Sequence, residues 1–186
     1  MGFIKMNEPE FFKLMDFIIT NFNIENILEI GTLLGETTFF CSDFDKVKQV
    51  TTVDFKEHPR YITNYKFFLS NLSKHKNKNK ILHYDEGSNK FFETCDKTYD
   101  LIFIDGDHGY TQSKSDLQNS IKHLRKGGII LMHDINDFVK RTEEKSCKNV
   151  FLEFNDKGYI KTLAHIRTTD GRARDGLNPC GVIIKL

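Results

Sequence analysis

Apolar and polar positions along this chain fall into two alternating rhythms. Phe11, Phe12, Leu14, Met15, Ile18, Ile19 and Phe22 recur at helical spacing, with Asn7 placed to cap and Pro9 in the first turn. This predicts a packing helix within residues 1–24. Asn26 to Ile30 reads as a strand, Gly31 to Gly35 as a turn, and Glu36 to about Asp43 as a helix. A second strand runs from Gln49 to Asp54, and a helix opening near Pro59 carries Tyr65, Phe68, Leu69 and Leu72 toward the Lys74 to Lys80 charge run. Ile81 to Tyr84 makes a third strand, Asn89 to Cys95 a short helix, Leu101 to Asp105 a fourth strand, and Thr111 to Leu124 a helix closed by Gly127-Gly128. Ile129 to His133 follows as a fifth strand. A helix centred on Val150 and Phe154 precedes two β-like runs, Tyr159 to Ile166 and Gly181 to Lys185.

The fourth strand carries most information. Leu101-Ile102-Phe103-Ile104 is a continuous apolar run, which suits a strand covered on both faces, as in a parallel α/β sheet. It runs directly into Asp105-Gly106-Asp107-His108. In open α/β sheets the crevice that binds ligands lies beyond the carboxyl ends of the strands, so these titratable groups emerge where chemistry is expected. Strands alternating with helices predict a mostly parallel sheet. The last two runs are too close for a helical crossover and predict an antiparallel edge. A length of 186 residues fits one domain without a second core.

Composition narrows the partners. Lys plus Arg (27) nearly cancels Asp plus Glu (26), so the whole chain offers no electrostatic case for nucleic acid or an anionic membrane. The lysine run reads as a solvated helix end and loop. No apolar run approaches the roughly 20 residues that span a bilayer, and the start lacks a signal-peptide core. Cys41, Cys95, Cys147 and Cys180 are dispersed, which argues against a zinc knuckle or disulfide framework and for a reducing, cytoplasmic setting.

The first chemical motif is Leu28-Glu29-Ile30-Gly31-Thr32-Leu33-Leu34-Gly35. Glycines at a strand-to-helix turn let the backbone bend and let a ligand approach the main chain, and the helix that follows presents unpaired N–H groups. The pattern differs from GxGxxG, which favours a nucleoside site over a dinucleotide pyrophosphate site. Asp54 ends the next strand at the offset where an acid accepts hydrogen bonds from ribose hydroxyls.

On these residues the chain resembles the class I S-adenosylmethionine-dependent methyltransferases, from Asn26 to Leu186. Glu29-Ile30-Gly31-Thr32 with Gly35 looks like their first motif, Val53-Asp54 like their second, and the final hairpin like their reversed last strand. The resemblance implies an α/β, Rossmann-like, doubly wound and mostly parallel seven-stranded sheet with an antiparallel last strand, occupying residues 1–186 as one domain. Asp105-Gly106-Asp107-His108, with Leu124-Arg125-Lys126-Gly127-Gly128 leading to His133-Asp134, is similar to a subgroup that includes macrocin O-methyltransferase and cephalosporin-hydroxylase-like proteins. It implies Glu29, Gly31, Thr32, Gly35 and Thr37 around the methionine end of the cofactor, Asp54 on the ribose, and Asp85 or Ser88 near the adenine.

With the strand order this resemblance implies, Asp105 and Asp134 converge beside the cofactor. Two carboxylates a few Å apart repel unless a proton or cation lies between them. Mg²⁺ or Mn²⁺ would suit such a pair, with His133 as a further candidate ligand. Without a metal, Asp105 would contact the cofactor amino group. His108 is the candidate general base, alongside Asp105, since an imidazole accepts a hydroxyl proton near neutral pH. Its structural alternative is a hydrogen bond to Asp107 or the backbone. His58, His75, His83, His123 and His165 read as surface or packing residues. Arg167, Arg172 and Arg174 lie in a polar loop that is either solvated or a lid. The implied activity is transfer of a methyl group to an oxygen of a small hydroxylated metabolite or sugar. The competing reading is a non-catalytic nucleotide-binding or partner-stabilising subunit, and self-association stays open.

Overall fold

In the computed structural model the described residues are 9–55, 62–135, 147–158, 161–168 and 178–185. They form α1 (Pro9–Asn21), β1 (Asn26–Ile30), α2 (Glu36–Ser42), β2 (Gln49–Asp54), α3 (Ile62–Lys74), a single 3-10 turn at Lys78–Lys80, β3 (Ile81–Asp85), α4 (Ser88–Thr94), β4 (Tyr99–Ile104), α5 (Tyr110–His123), β5 (Leu124–Met132), α6 (Cys147–Asp156), β6 (Lys161–Thr168) and β7 (Asn178–Ile184). Asn7, His58, Pro59, Arg172 and Arg174 lie outside the described residues, as do the side chains of Arg167 and His165.

The strands form one sheet in the order β3-β2-β1-β4-β5-β7-β6. Six run parallel to one another, and β7, the last in sequence, runs antiparallel to its neighbours β5 and β6. The antiparallel strand expected at the edge is therefore internal, with β6 outside it. Every residue of β4 is buried, as its unbroken apolar run requires. Ile102, Ile104, Ile130 and Met132 face α4, α5 and α6 through Phe91, Leu117, Val150 and Phe151. Leu101, Phe103, Ile129 and Leu131 face α1 and α2 through Phe11, Met15, Ile18 and Cys41. Among the described residues no helix is long and apolar enough to cross a membrane.

The glycine pair expected to close α5 lies elsewhere. Leu124 already has extended dihedrals (φ −85°, ψ 132°), so helix passes directly into strand. Gly127 and Gly128 sit inside β5, where the pairing slips from Tyr99 opposite Leu124 to Leu101 opposite Ile129. Gly127 takes φ +72°, a conformation that favours glycine. The lysine run is also partly structural. Lys80 Nζ donates to the Ser42 and Phe44 carbonyls at 3.3 and 2.9 Å, closing the end of α2.

At the amino end of the sheet the buried Asp100 and half-buried Arg125 tie three elements together. Asp100 Oδ2 accepts the backbone N–H groups of Glu25 (2.9 Å) and Asn26 (2.7 Å), while Oδ1 accepts Arg125 Nε. Arg125 Nη2 donates to the Asn23 carbonyl at 2.7 Å. Truncating Asp100 strands two N–H groups and a guanidinium, so Asp100→Ala should lower stability by about 2 to 3 kcal/mol. Urea unfolding of both proteins checks this, with the midpoint moving at unchanged slope.

Candidate active site

Strand order reverses direction at β1, whose neighbours are β2 and β4, so the turns leaving β1 and β4 diverge and open a crevice at their carboxyl ends. The main-chain ladder continues beyond the strands there. Gly31 N donates to Val53 O (2.9 Å), Asp105 N to Ile30 O (2.8 Å) and His133 N to Ile104 O (2.9 Å). Gly31 has φ +95°, and a Cβ on it would collide with the Asp105 carbonyl. Gly35, at φ +81°, lies so close to Phe68 that a Cβ would fall 2.5 Å from the ring. Both glycines are required by packing as well as by dihedral angle.

Asp54, whose spacing suggests a ribose acceptor, is bound to the glycine turn itself. Its Oδ2 accepts the N–H groups of Thr32 (2.9 Å) and Leu33 (2.8 Å), and Oδ1 accepts the N–H of Phe55 (2.7 Å). Leu33 is thereby held at φ +48°. Beside Asp54 a cavity is lined by Thr32, Leu33, Phe55, Tyr65, Phe68 and His83. The His83 ring lies 4.8 Å from Phe68 and 5.6 Å from Tyr65.

Glu29 is buried beneath the turn, and both hydroxyls that reach it meet the same oxygen. Thr38 Oγ1 and Thr52 Oγ1 donate to Oε2, the latter at 2.7 Å, and Thr32 Oγ1 lies 2.5 Å from Thr52 Oγ1. Burial pushes the Glu29 carboxyl up to about 8, against the two hydroxyl bonds, with the charges of Asp105 and Asp54 adding to the rise. Thr37 is buried in the first turn of α2. At the end of β3, Asp85 Oδ2 accepts a long 3.4 Å bond from the Tyr65 hydroxyl. Ser88 Oγ donates to Asp116 Oδ1 at 2.6 Å, and Gln112 Nε2 donates to both, each at 2.9 Å. Burial raises the Asp116 carboxyl above its usual range, opposed by these two bonds.

Asp105, His108 and Asp134 come together, their candidate ligand atoms lying within 4.8 Å of one another. His108 Nε2 is 3.4 Å from Asp105 Oδ1, and its Nδ1 is 3.2 Å from Asp134 Oδ2. His133 reaches the same pair from the buried side, its Nδ1 3.3 Å from Asp105 Oδ1 and 3.3 Å from Asp134 Oδ1. Its ring meets Phe11 and Phe103 edge-on. Burial alone would raise the Asp105 carboxyl. The neighbouring His133 and His108 outweigh that effect and hold it well below the usual carboxylate range. Asp134 sits at φ +54°, a left-handed conformation uncommon outside glycine.

The loop bearing His108 is fixed from outside the cluster. Asp107 Oδ1 accepts the Gly109 N–H (2.6 Å), and the Asp107 carbonyl accepts Ser113 Oγ (2.8 Å). Asp107 thus braces the loop, and His108 turns to the two acids. Two residues on, the Tyr110 hydroxyl donates to Glu153 on α6, which also accepts Lys114 Nζ at 3.0 and 3.1 Å and Lys157 Nζ at 2.7 Å. Those donors, Lys157 first, draw the Glu153 carboxyl down to about 2. His75 and His123 have the packing and surface places expected of them: His75 packs at a tilt against Phe39 and meets Ser42 Oγ at 2.7 Å, and His123 reaches the Lys97 carbonyl.

Sequence reasoning passes over Thr38, Thr52, Gln112 and Asp116. Thr52 offers a usable signal, since it stands two residues before Asp54 on the same face of β2.

A family model described as a methyltransferase domain matches residues 28–135, more than half of the chain. An uncharacterized protein of Acanthamoeba polyphaga mimivirus is 29% identical over 121 residues, which take in 60% of this chain and 52% of that protein. The chain thus spans about half the length of this curated relative. An O-methyltransferase from Bacillus cereus, solved in complex with SAH, superposes with a TM-score of 0.74 at 17% identity, over 95% of this chain and 81% of that one. An rRNA methylase from Streptococcus thermophilus gives 0.68 at 13% identity, over 98% and 99%. At these identities the likeness is one of fold.

Glu29 also predicts how stability varies with pH. The folded chain keeps this proton up to about 8, whereas the unfolded chain releases it near the ordinary value of 4.5. The stabilisation is full below the ordinary value and is lost as pH rises through the folded one. The melting temperature of the wild-type protein should fall between these limits relative to that of Glu29→Gln, as scanning calorimetry would show. Parallel curves would mean that Glu29 is ionised in the folded state.

Proposed function

Because this chain belongs to the methyltransferase-domain family, we propose that it transfers the methyl group of S-adenosylmethionine to a hydroxyl oxygen of a small molecule, a sugar or similarly hydroxylated metabolite. The observation that carries the choice of oxygen is the meeting of Asp105, His108 and Asp134 at the carboxyl ends of β4 and β5, beside the glycine turn. The Bacillus cereus O-methyltransferase adds support through its fold. Similarity of the Asp105 to His108 and Arg125 to Asp134 segments to the macrocin O-methyltransferase subgroup favours a sugar acceptor. We read residues 1–186 as one such domain.

The residues suit the cofactor. Gly31 and Gly35 let the turn pack against Asp105 and Phe68, and Thr32 sits on it with its hydroxyl directed to Thr52. Asp54 meets the ribose by exchanging turn N–H bonds for ligand hydroxyls. Phe55, Tyr65 and Phe68 beside it offer aromatic walls to a flat base, with Asp85 and Ser88 at the rim. Glu29 and Thr37 lie under the amino-acid end. When bound, S-adenosylmethionine supplies a methyl group made electrophilic by its sulfonium. The protein's own work is to align the acceptor oxygen with that methyl and to take its proton. His108 is the base: the acceptor hydroxyl replaces one of its two carboxylate contacts and gives its proton to that nitrogen, and the other contact stabilises the imidazolium that forms.

The same three side chains fit a divalent cation. Two carboxylates and an imidazole favour Mn²⁺ over Mg²⁺, since imidazole is a poorer partner for the harder ion. His133 stands behind both acids and would orient them. A cation would hold the acceptor oxygen and lower its pKa. With His108 as a ligand the base would lie elsewhere, so the two roles exclude each other.

Calorimetry with S-adenosylmethionine and with S-adenosylhomocysteine tests the reading. Binding of both is expected, and Asp54→Ala should weaken it by about 1 to 3 kcal/mol through lost hydrogen bonds and a loosened turn. Absence of heat and of any thermal shift with either compound would exclude the methyltransferase reading.

Titration of the Mn²⁺ electron-spin signal separates the two roles of His108. As a ligand, His108→Gln weakens Mn²⁺ binding together with Asp134→Asn. As a base it leaves Mn²⁺ affinity unchanged. An undiminished free Mn²⁺ signal with the wild-type protein removes the metal from the mechanism.

A further inference from the structure

The glycine turn is surrounded by carboxylates, and one of them, Glu29, has neither a counter-cation nor a backbone N–H donor among the described residues. Asp105 faces two imidazoles, and Asp54 accepts three backbone N–H groups. Glu29 is different. It is 3% exposed, and among the described residues no lysine, arginine or histidine pairs with it. Among the described residues the donors to it are the Thr38 and Thr52 hydroxyls, both to Oε2. Its surroundings among the described residues bring no positive charge to balance a negative one. From α2 comes the Cys41 thiol, itself pushed up by burial and by Glu29. Asp54 stands at the end of β2, and Asp105 stands beyond β4 with His133 against it. On this face α1 brings the apolar Phe11 and Met15. A buried carboxylate so placed is unfavourable, and a neutral carboxyl is the stable form.

We propose that Glu29 carries a proton in the ligand-free protein and releases it to solvent when the ammonium group at the amino-acid end of the cofactor binds. The inference rests on the methyltransferase reading above and adds a residue that sets affinity through pH. The incoming ammonium is the missing counter-cation. Its charge favours the ionised carboxyl, so one O–H bond breaks and the proton passes to the buffer. The hydroxyls of Thr38 and Thr52 stay in place, because a carboxylate accepts their hydrogen bonds better than a neutral acid does. Thr32 donates to Thr52 and is linked to the same oxygen, so the turn tightens as the charge forms. Ligand binding and deprotonation are then two sides of one equilibrium.

Calorimetry of S-adenosylhomocysteine binding at about pH 7, repeated in buffers of different ionisation enthalpy, counts the protons released. Wild type is expected to release more than Glu29→Gln does, by up to one proton. Its affinity should fall by as much as tenfold per pH unit below the Glu29 titration, while the variant stays flat. The glutamine amide copies the neutral acid, keeps an oxygen for both threonines and should bind as wild type does at low pH. Methylthioadenosine, which lacks the amino-acid end, should release no Glu29 proton. Equal proton counts for wild type and Glu29→Gln overturn the inference, and so does release of the same proton by methylthioadenosine. Absence of any binding heat strikes instead at the methyltransferase reading. If Glu29→Gln does not fold, the wild-type series decides: release must shrink as the starting pH is raised through about 8, and constant release overturns the proposal.

Discussion

The close passage of the β1 turn beneath the Asp105 main chain is the constraint on which the rest of the site depends. No side chain fits at residue 31, because the Asp105 carbonyl occupies the space it would fill. Gly31, Asp105 and His133 are instead joined to the strands beside them by ladder bonds of 2.8 to 2.9 Å that extend the sheet one residue past its formal ends. The acids therefore inherit the rigidity of a buried parallel sheet while standing at its solvent edge. A loop of the same composition without that ladder would leave Asp105 free to relax away from the cluster, as like charges favour.

Charge in the cluster is balanced from inside the protein. His133 supports Asp105 and Asp134 from the core, and His108 closes over them from the surface. The loop of His108 is in turn held by the Asp107 turn and, two residues on, by the bond from Tyr110 to Glu153. α6 thereby braces the loop through Tyr110 at the start of α5. The same imidazoles give Asp105 the neighbours that hold its carboxyl low, in contrast to Glu29, which has none among the described residues.

Much of this is legible in the chain. β1 and β2 have the bounds that their apolar runs predict, and the acids at the ends of the strands identify the reactive edge. What escapes is chemistry that depends on distance in space. Gly127-Gly128 has the local signature of a helix end, and the bulge in β5 overrides it because pairing with β4 must slip there. Asp54 has the spacing of a ribose acceptor, yet the N–H pair of the neighbouring β1 turn claims its oxygen. His133 has the sequence position of a ligand and lies on the buried side of both acids, while His108 takes the open side. Whether an imidazole approaches a carboxylate from core or solvent follows from the tilt of a loop, which no spacing rule encodes. Thr38 and Thr52 escape because threonine in a helix or a strand is ordinary until an acid is buried opposite it.

The place of β7 has a consequence for the order in which the chain can fold during synthesis. Ile129, Ile130, Leu131 and Met132 of β5 pair outward with Ile184, Ile183, Val182 and Gly181. The matched family segment ends at residue 135, before any of that cover exists. A nascent chain that has completed β1 to β5 holds all its reactive acids and still presents an apolar strand with open N–H and C=O groups. Such an edge recruits other strands readily. Residues 178–184 act as a seal on that edge.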